Sequence, residues 1–341
     1  MSQIRQPKHL LINNRLRIAI TNKCNLSCSY CHNEGQPHCD QRLFLPLDYI
    51  KTMVKWFQSN NVCVEKVSIT GGEPLLHSEL LDIIDELGNM ANNIHLNTNG
   101  MLLTKELVDE FHARGIVLRV GIDSIDSNQT KPNLDEAMAN RNSKNILDMI
   151  EYAASSGVHV IFSTVFSNFN RNNLDRLIEW AAKIGVKCVK IIKLNDFDSR
   201  GLNKKHDVED DFKTNHLEAS LFYDFRQKYV YKAWHCDEYT FLGKHRVFLR
   251  QEDESEFEVV FCDDLCTSGA CANVYTAIDS KGELMICPKN HITTPIDFSE
   301  DYKVVSEVLL DTRNKKCDSY KNRFDLRDNI NSQMKGDAIN A

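Results

Sequence analysis

Between residues 16 and 194, short apolar runs alternate six times with longer amphipathic stretches, and this alternation constrains the chain more than any other feature. LRIAIT (16–21), EKVSIT (65–70), NIHLNT (93–98), IVLRVGID (116–123), VHVIFSTV (158–165) and VKCVKIIKL (186–194) predict strands. The stretches 46–58, 78–90, 104–114, 143–156 and 172–184 predict the helices between them. Short apolar strands suit a parallel sheet covered on both faces. Consecutive strand–helix steps predict an α/β chain folded as a partial (β/α)6 TIM-like barrel. In such folds the chemistry sits at the C-terminal ends of the strands.

The pattern changes after Asn195. Residues 196–216 are charged and poor in apolar positions, so they predict a linker or loop. A helix is expected over 217–233, a hairpin over 239–261 and a second hairpin over 274–287 around Asp279-Ser280-Lys281-Gly282. A last helix is expected over 304–311. The division that follows is a barrel over 1–195, a linker over 196–216, a small α+β subdomain over 217–321 and a polar tail over 322–341.

The net charge of −7 disfavours a bulk nucleic-acid partner. No apolar run reaches the roughly 18 residues of a membrane span, and the first residues lack a signal-peptide core. These features predict a cytoplasmic chain with no membrane partner. Twelve cysteines in a reducing compartment then point to metal or catalysis rather than disulfides.

Seven of those cysteines cluster. Cys24-x3-Cys28-x2-Cys31 follows the first strand directly. Three thiolates can bind three irons of a cubane and leave the fourth iron open. A zinc site completed by His32 or Cys39 is the alternative, although zinc knuckles usually pair C-x2-C spacings. The second strand ends in Thr70-Gly71-Gly72-Glu73-Pro74 and the third in Asn97-Thr98-Asn99-Gly100. The fourth ends in Gly121-Ile122-Asp123-Ser124, and the fifth carries Ser163 and Thr164. All lie at strand ends facing one mouth.

The cysteine loop, with Tyr30 before its third thiol, resembles the signature of the radical S-adenosylmethionine (SAM) superfamily. The GGEP and TNG strand ends are similar to motifs of the same family, whereas Gly121 departs from the serine common there. The resemblance implies an enzyme with a [4Fe-4S] cluster on Cys24, Cys28 and Cys31. It also implies that SAM lies along Tyr30, Gly71, Gly72, Glu73, Thr98, Asn99, Asp123, Ser124 and Ser163. Glycines allow close backbone approach, and carbonyls with the Glu73 carboxylate can accept from the SAM ammonium. An electron from a donor such as flavodoxin or ferredoxin then cleaves SAM to methionine and a 5′-deoxyadenosyl radical. That radical takes hydrogen from a small-molecule, nucleoside or peptide substrate; the cofactor carries the hard chemistry.

Cys262, Cys266, Cys271 and Cys287 form the second concentration of thiols. They are candidates for an auxiliary [4Fe-4S] cluster, with a structural zinc as the alternative. Spacing leaves open which of Cys262 and Cys266 would bind. This region resembles the SPASM or twitch subdomain, and most of the chain resembles the MoaA family of GTP 3′,8-cyclases. Two departures bear on substrate. Cys271 is followed by Ala-Asn-Val-Tyr-Thr-Ala where that family carries arginines, and His77 stands in place of an arginine. Arg17 is therefore expected to lack the cationic partners that a triphosphate needs. Arg17, His77 and Lys193 are the candidate substrate contacts. The readings are thus a radical SAM enzyme of unassigned substrate, a GTP 3′,8-cyclase, and a zinc-stabilised binding protein without turnover.

Overall fold

The computed structural model describes residues 8–26, 28, 31, 43–126, 136–167, 170–193, 216–240, 244–262, 276–287 and 292–314. The six expected strands form as β1 (Arg15–Ala19), β2 (Lys66–Thr70), β3 (Ile94–Thr98), β4 (Val117–Gly121), β5 (His159–Phe166) and β6 (Cys188–Lys193). Helices α1 (Leu47–Ser59), α2 (Leu80–Gly88), α3 (Lys105–Ala113), α4 (Glu136–Ser155) and α5 (Leu174–Lys183) separate them as expected, one in each connection from β1 to β6. Each strand pairs in parallel with its successor.

The helices form where apolar residues recur on one face. In α1, Ile50, Met53, Val54 and Phe57 follow the i, i+3, i+4, i+7 pattern and are buried. Helix α3 starts where Thr104 caps it, the hydroxyl accepting from the Leu107 amide at 3.3 Å. Strand residues divide by the two-residue period. Leu16, Ile18, Val67, Ile69, Leu118, Val120, Val160 and Phe162 are buried and belong to the one continuous core with the helices. Their neighbours in sequence point to the inner face.

The C-terminal half extends the same sheet. Helix α6 (His216–Lys232) precedes β7 (His235–Thr240), β8 (Lys244–Arg250) and β9 (Glu256–Cys262). Strand β9 pairs in parallel with β6, and the β7–β8–β9 meander continues outward from it. On the other side β10 (Thr276–Ile278) pairs in parallel with β1, followed by β11 (Leu284–Cys287) and β12 (Ile292–Thr294). The resulting twelve-stranded order is β12-β11-β10-β1-β2-β3-β4-β5-β6-β9-β8-β7. Among the described residues this sheet is open, with β12 and β7 at its edges. Phe222, Phe225 and Tyr229 of α6 pack on Phe261 of β9, while α7 (Tyr302–Asn314) buries Val305 and Leu309.

Three expectations change. The single hairpin over 239–261 is instead a three-stranded meander, because the polar run His235–Thr240 forms an edge strand with no apolar signature. Strand β12 was not expected. Helix α4 begins at Glu136, seven residues earlier than the sequence pattern suggests. The expected linker over 196–216 lies outside the described residues except for His216, which opens α6, and the tail over 322–341 lies wholly outside them.

Candidate active site

The C-terminal ends of β1 and β2 are stitched together by backbone contacts. Gly72 donates to the Thr21 carbonyl and Glu73 to the Lys23 carbonyl, each at 2.8 Å. A Cβ at Gly71, whose φ is +137°, would lie 2.1 Å from the Thr21 carbonyl oxygen. One at Gly72 would lie 2.2 Å from the Lys23 carbonyl oxygen. Only glycine lets the second strand end come this close to the cysteine loop.

Glu73 is fully buried. Its carboxylate accepts from the Leu75 amide at 3.0 Å, the Thr98 hydroxyl at 2.7 Å and the Asn99 amide at 2.7 Å. The Asn99 side-chain amide in turn donates to Asn25 at 2.8 Å and to the Cys24 sulfur at 3.9 Å. Glu73 thereby ties the ends of β2 and β3, and Asn99 ties β3 to the cysteine loop. A similar brace joins β4 and β5. The Asp123 carboxylate accepts from the Val165 amide at 3.1 Å and the Thr164 hydroxyl at 3.3 Å. Ser163 stands in register with Gly121, and the Ser124 hydroxyl accepts from the Asp126 amide at 3.1 Å.

Cys24 and Cys31 are exposed and Cys28 is half-buried. The Cys31 amide donates to the Cys28 carbonyl at 3.0 Å. Surrounding protein raises the Cys24 thiol pKa; the Leu26 amide bond opposes this and the Glu73 carboxylate adds to it. Among the described residues no three Cys, His, Asp or Glu side chains converge as a ready metal cage. The three thiols share one loop beside the glycine turn, and as soft donors they fit an iron–sulfur cluster. Tyr30, Cys266 and Cys271 lie outside the described residues. Cys262 ends β9 and is buried beside Ile161, Cys188 and Val260, and Cys287 ends β11.

The three candidate substrate contacts separate. His77 is buried, with Nε2 donating to the Leu45 carbonyl at 3.1 Å and Nδ1 accepting from the Glu79 amide at 3.2 Å. Both ring nitrogens hold the turn after the GGEP motif. The Lys193 ammonium lies 5.1 Å from the Tyr223 ring centroid, against α6. Arg17 sits on the inner face and donates to the Thr70 hydroxyl at 3.4 Å.

Arg17 does not lack cationic company, which corrects the expectation from sequence. Register places Arg15 beside Lys66, Ser68 beside His95, Asn97 beside Arg119 and Ser163 beside Lys190, all on the inner face. Lys244 joins them from β8. Burial, then the Arg119 charge, lowers Lys66 to about 6 and His95 to about 2. Burial, then neighbouring cations, lowers Arg119 to about 10 and Lys190 to about 8. Buried Nδ1 of His95 and Nε of Arg119 have no hydrogen-bond partner among the described residues. Glu258 on β9 accepts from Arg246 at 2.5 Å. Sequence reasoning missed this lining because it contributes about one cation per strand; the two-residue period, which sets Lys190 opposite Lys193, was the available signal.

The fold and the cysteine loop agree with the comparisons. Residues 18–181 match the Radical SAM superfamily, so this part of the chain is similar to a domain of that superfamily of enzymes. The chain is 37% identical over 158 residues to a GTP 3′,8-cyclase of Staphylococcus haemolyticus, covering 44% of this chain and 45% of that protein. It thus spans about half the length of the curated relatives it matches. Streptococcus suis SuiB bound to its precursor peptide SuiA superposes with a TM-score of 0.60 at 14% identity, over 88% of this chain and 66% of that one. The protein anSMEcpe with bound AdoMet gives 0.58 at 12% identity, over 90% and 79%. At these identities the likeness is one of fold. The family implies a [4Fe-4S] cluster and SAM. No helix among the described residues is long and apolar enough to cross a membrane.

Proposed function

We propose that this chain reductively cleaves SAM at the strand-end mouth and directs the resulting radical at a substrate whose anionic group rests on the inner basic lining. A [4Fe-4S] cluster on Cys24, Cys28 and Cys31 would supply the electron that breaks the C5′–S bond, releasing methionine and a 5′-deoxyadenosyl radical that takes a hydrogen atom from the substrate. The observation that carries this reading is the stitching of the cysteine loop onto Gly71 and Gly72 through contacts no larger residue allows. Backbone at Gly71 and Gly72 faces the SAM amino-acid portion. Glu73 fixes Thr98 and Asn99 in place, and Asp123 with Ser124 and Ser163 shapes the opposite rim. Arg17, Lys66, Arg119 and Lys190 receive the anion.

Cys262, Cys266, Cys271 and Cys287 are proposed to hold a second cluster. Anaerobic reconstitution followed by iron analysis and reduction with dithionite tests both assignments. The expected outcome is about eight irons per chain with SAM-dependent 5′-deoxyadenosine; about four would remove the second cluster alone. Zinc in place of iron, with no SAM cleavage, would leave the non-catalytic binding protein as the reading.

The basic lining specifically favours a second reading, that the substrate is a nucleoside triphosphate, as in the relatives named GTP 3′,8-cyclase. GTP-dependent formation of 5′-deoxyadenosine supports it. Unchanged turnover with and without GTP sends the search to other phosphorylated or carboxylated molecules.

A further inference from the structure

Lys66 opens β2 on the inner face, and after burial the charges that lower it among the described residues are other cations, Arg119, Lys190, Arg15 and Lys244. The groups that share its inner face can be named strand by strand. Strand β1 contributes Arg15 and Arg17, β2 Ser68, β3 His95 and Asn97, and β4 Arg119. Strand β5 contributes His159, β6 Cys188 and Lys190, β8 Lys244, and β9 Glu258 and Cys262. Glu258 is the one carboxylate among these, and it is held by Arg246. A half-buried amine in such company is driven to its neutral form. His95 beside it is 5% exposed with an unpartnered Nδ1, and the Arg119 Nε is likewise without a partner among the described residues. The lining thus combines fixed positive charge, unused buried donors and one amine short of a proton.

We propose that Lys66 is a proton-uptake residue of the lining: an anionic phosphate or carboxylate group entering there is neutralised by a proton that Lys66 captures as the group binds. The inference rests on the proposed reading of the lining as the anion-receiving part of the substrate site. The balance is simple. The neutral amine takes one proton from solvent, becomes an ammonium, and donates to the bound oxygen; no bond to carbon forms or breaks. The energetics follow from linkage. Bound negative charge offsets the cation repulsion that keeps Lys66 neutral, so its affinity for a proton rises on binding. The unliganded Lys66 value of about 6 makes the amine mostly neutral above that pH. Uptake is therefore largest above pH 6 and disappears at more acidic pH, where Lys66 is already charged.

The test is titration calorimetry of the full chain with inorganic pyrophosphate and, separately, with succinate, in HEPES and in Tris at about pH 7.5. The expected result is a buffer-dependent heat equivalent to about one proton taken up per bound anion. Apparent affinity should fall about tenfold between about pH 7 and about pH 8. Whichever anion binds tells phosphate from carboxylate. Lys66→Arg should abolish the uptake and flatten the pH dependence while retaining binding, since arginine stays charged. Lys66→Met should abolish uptake and also weaken binding. Binding with equal heats in both buffers, or undiminished uptake in Lys66→Arg, would overturn the inference and leave the anion-site reading standing. Failure of the wild-type chain to bind either anion would overturn both.

Discussion

The strand-end mouth and the inner lining of the same sheet are built on opposite principles. At the mouth each polar group singled out has a partner: Glu73 accepts three hydrogen bonds, and Asp123 braces β4 against β5. The glycines remove side chains where backbones must touch. In the lining, cations crowd one another and buried donors on His95 and Arg119 lack partners. A satisfied network holds its shape without a ligand, whereas an unsatisfied like-charged one is completed by a ligand of opposite charge. On the proposed reading, the mouth positions a fixed cofactor and the lining responds to what binds.

Substitutions should separate the two regions by the sign of their effect. The largest effect is expected for Cys28→Ala, which removes a proposed cluster ligand. Iron should fall and 5′-deoxyadenosine formation should drop by about a thousandfold or more. Retention of the full wild-type iron would reassign the ligand set. Gly72→Ala comes next, because its Cβ would lie 2.2 Å from a carbonyl oxygen. A loss of about 4 kcal/mol in urea unfolding, or no soluble chain, is expected. Wild-type stability would show that the strand ends can part. Glu73→Gln keeps the volume but weakens three bonds, and it should cost about 1–3 kcal/mol.

The lining should respond the other way. Arg119→Met removes a repelled cation, so the free chain should gain about 1 kcal/mol while pyrophosphate binding weakens. A loss of stability would mean that Arg119 is held by a favourable partner. The last effect is a pH slope. Lys66 has a folded value of about 6, far below that of an unfolded lysine. Between these values the unfolded chain binds the extra proton, so stability should rise as pH climbs from about 6 towards about 10. Lys66→Met should flatten that rise in thermal melts taken across the range.

The same contrast explains what the sequence disclosed. The mouth was legible because its residues come in contiguous motifs at strand ends, such as 70–74 and 97–100, and because six strand–helix steps fix where those ends gather. The lining was not legible as a site. Its members are spread from Arg15 to Lys244 and meet only through register, and a lysine three positions along a strand changes face, so Lys193 packs on Tyr223 while Lys190 faces inward. The meander hid for another reason. An edge strand such as His235–Thr240 needs no apolar face, and the parallel return of β9 onto β6 leaves no mark in local sequence.

The central claim is that the cysteine loop beside Gly71 and Gly72 holds a cluster with one iron open to SAM. Electron paramagnetic resonance of the reduced, reconstituted chain, recorded with and without SAM, tests it most directly. The expected result is a reduced [4Fe-4S] signal whose shape changes when SAM is added, the SAM-responsive component being lost in Cys28→Ala. A signal indifferent to SAM, or a SAM response that survives Cys28→Ala, would contradict the account.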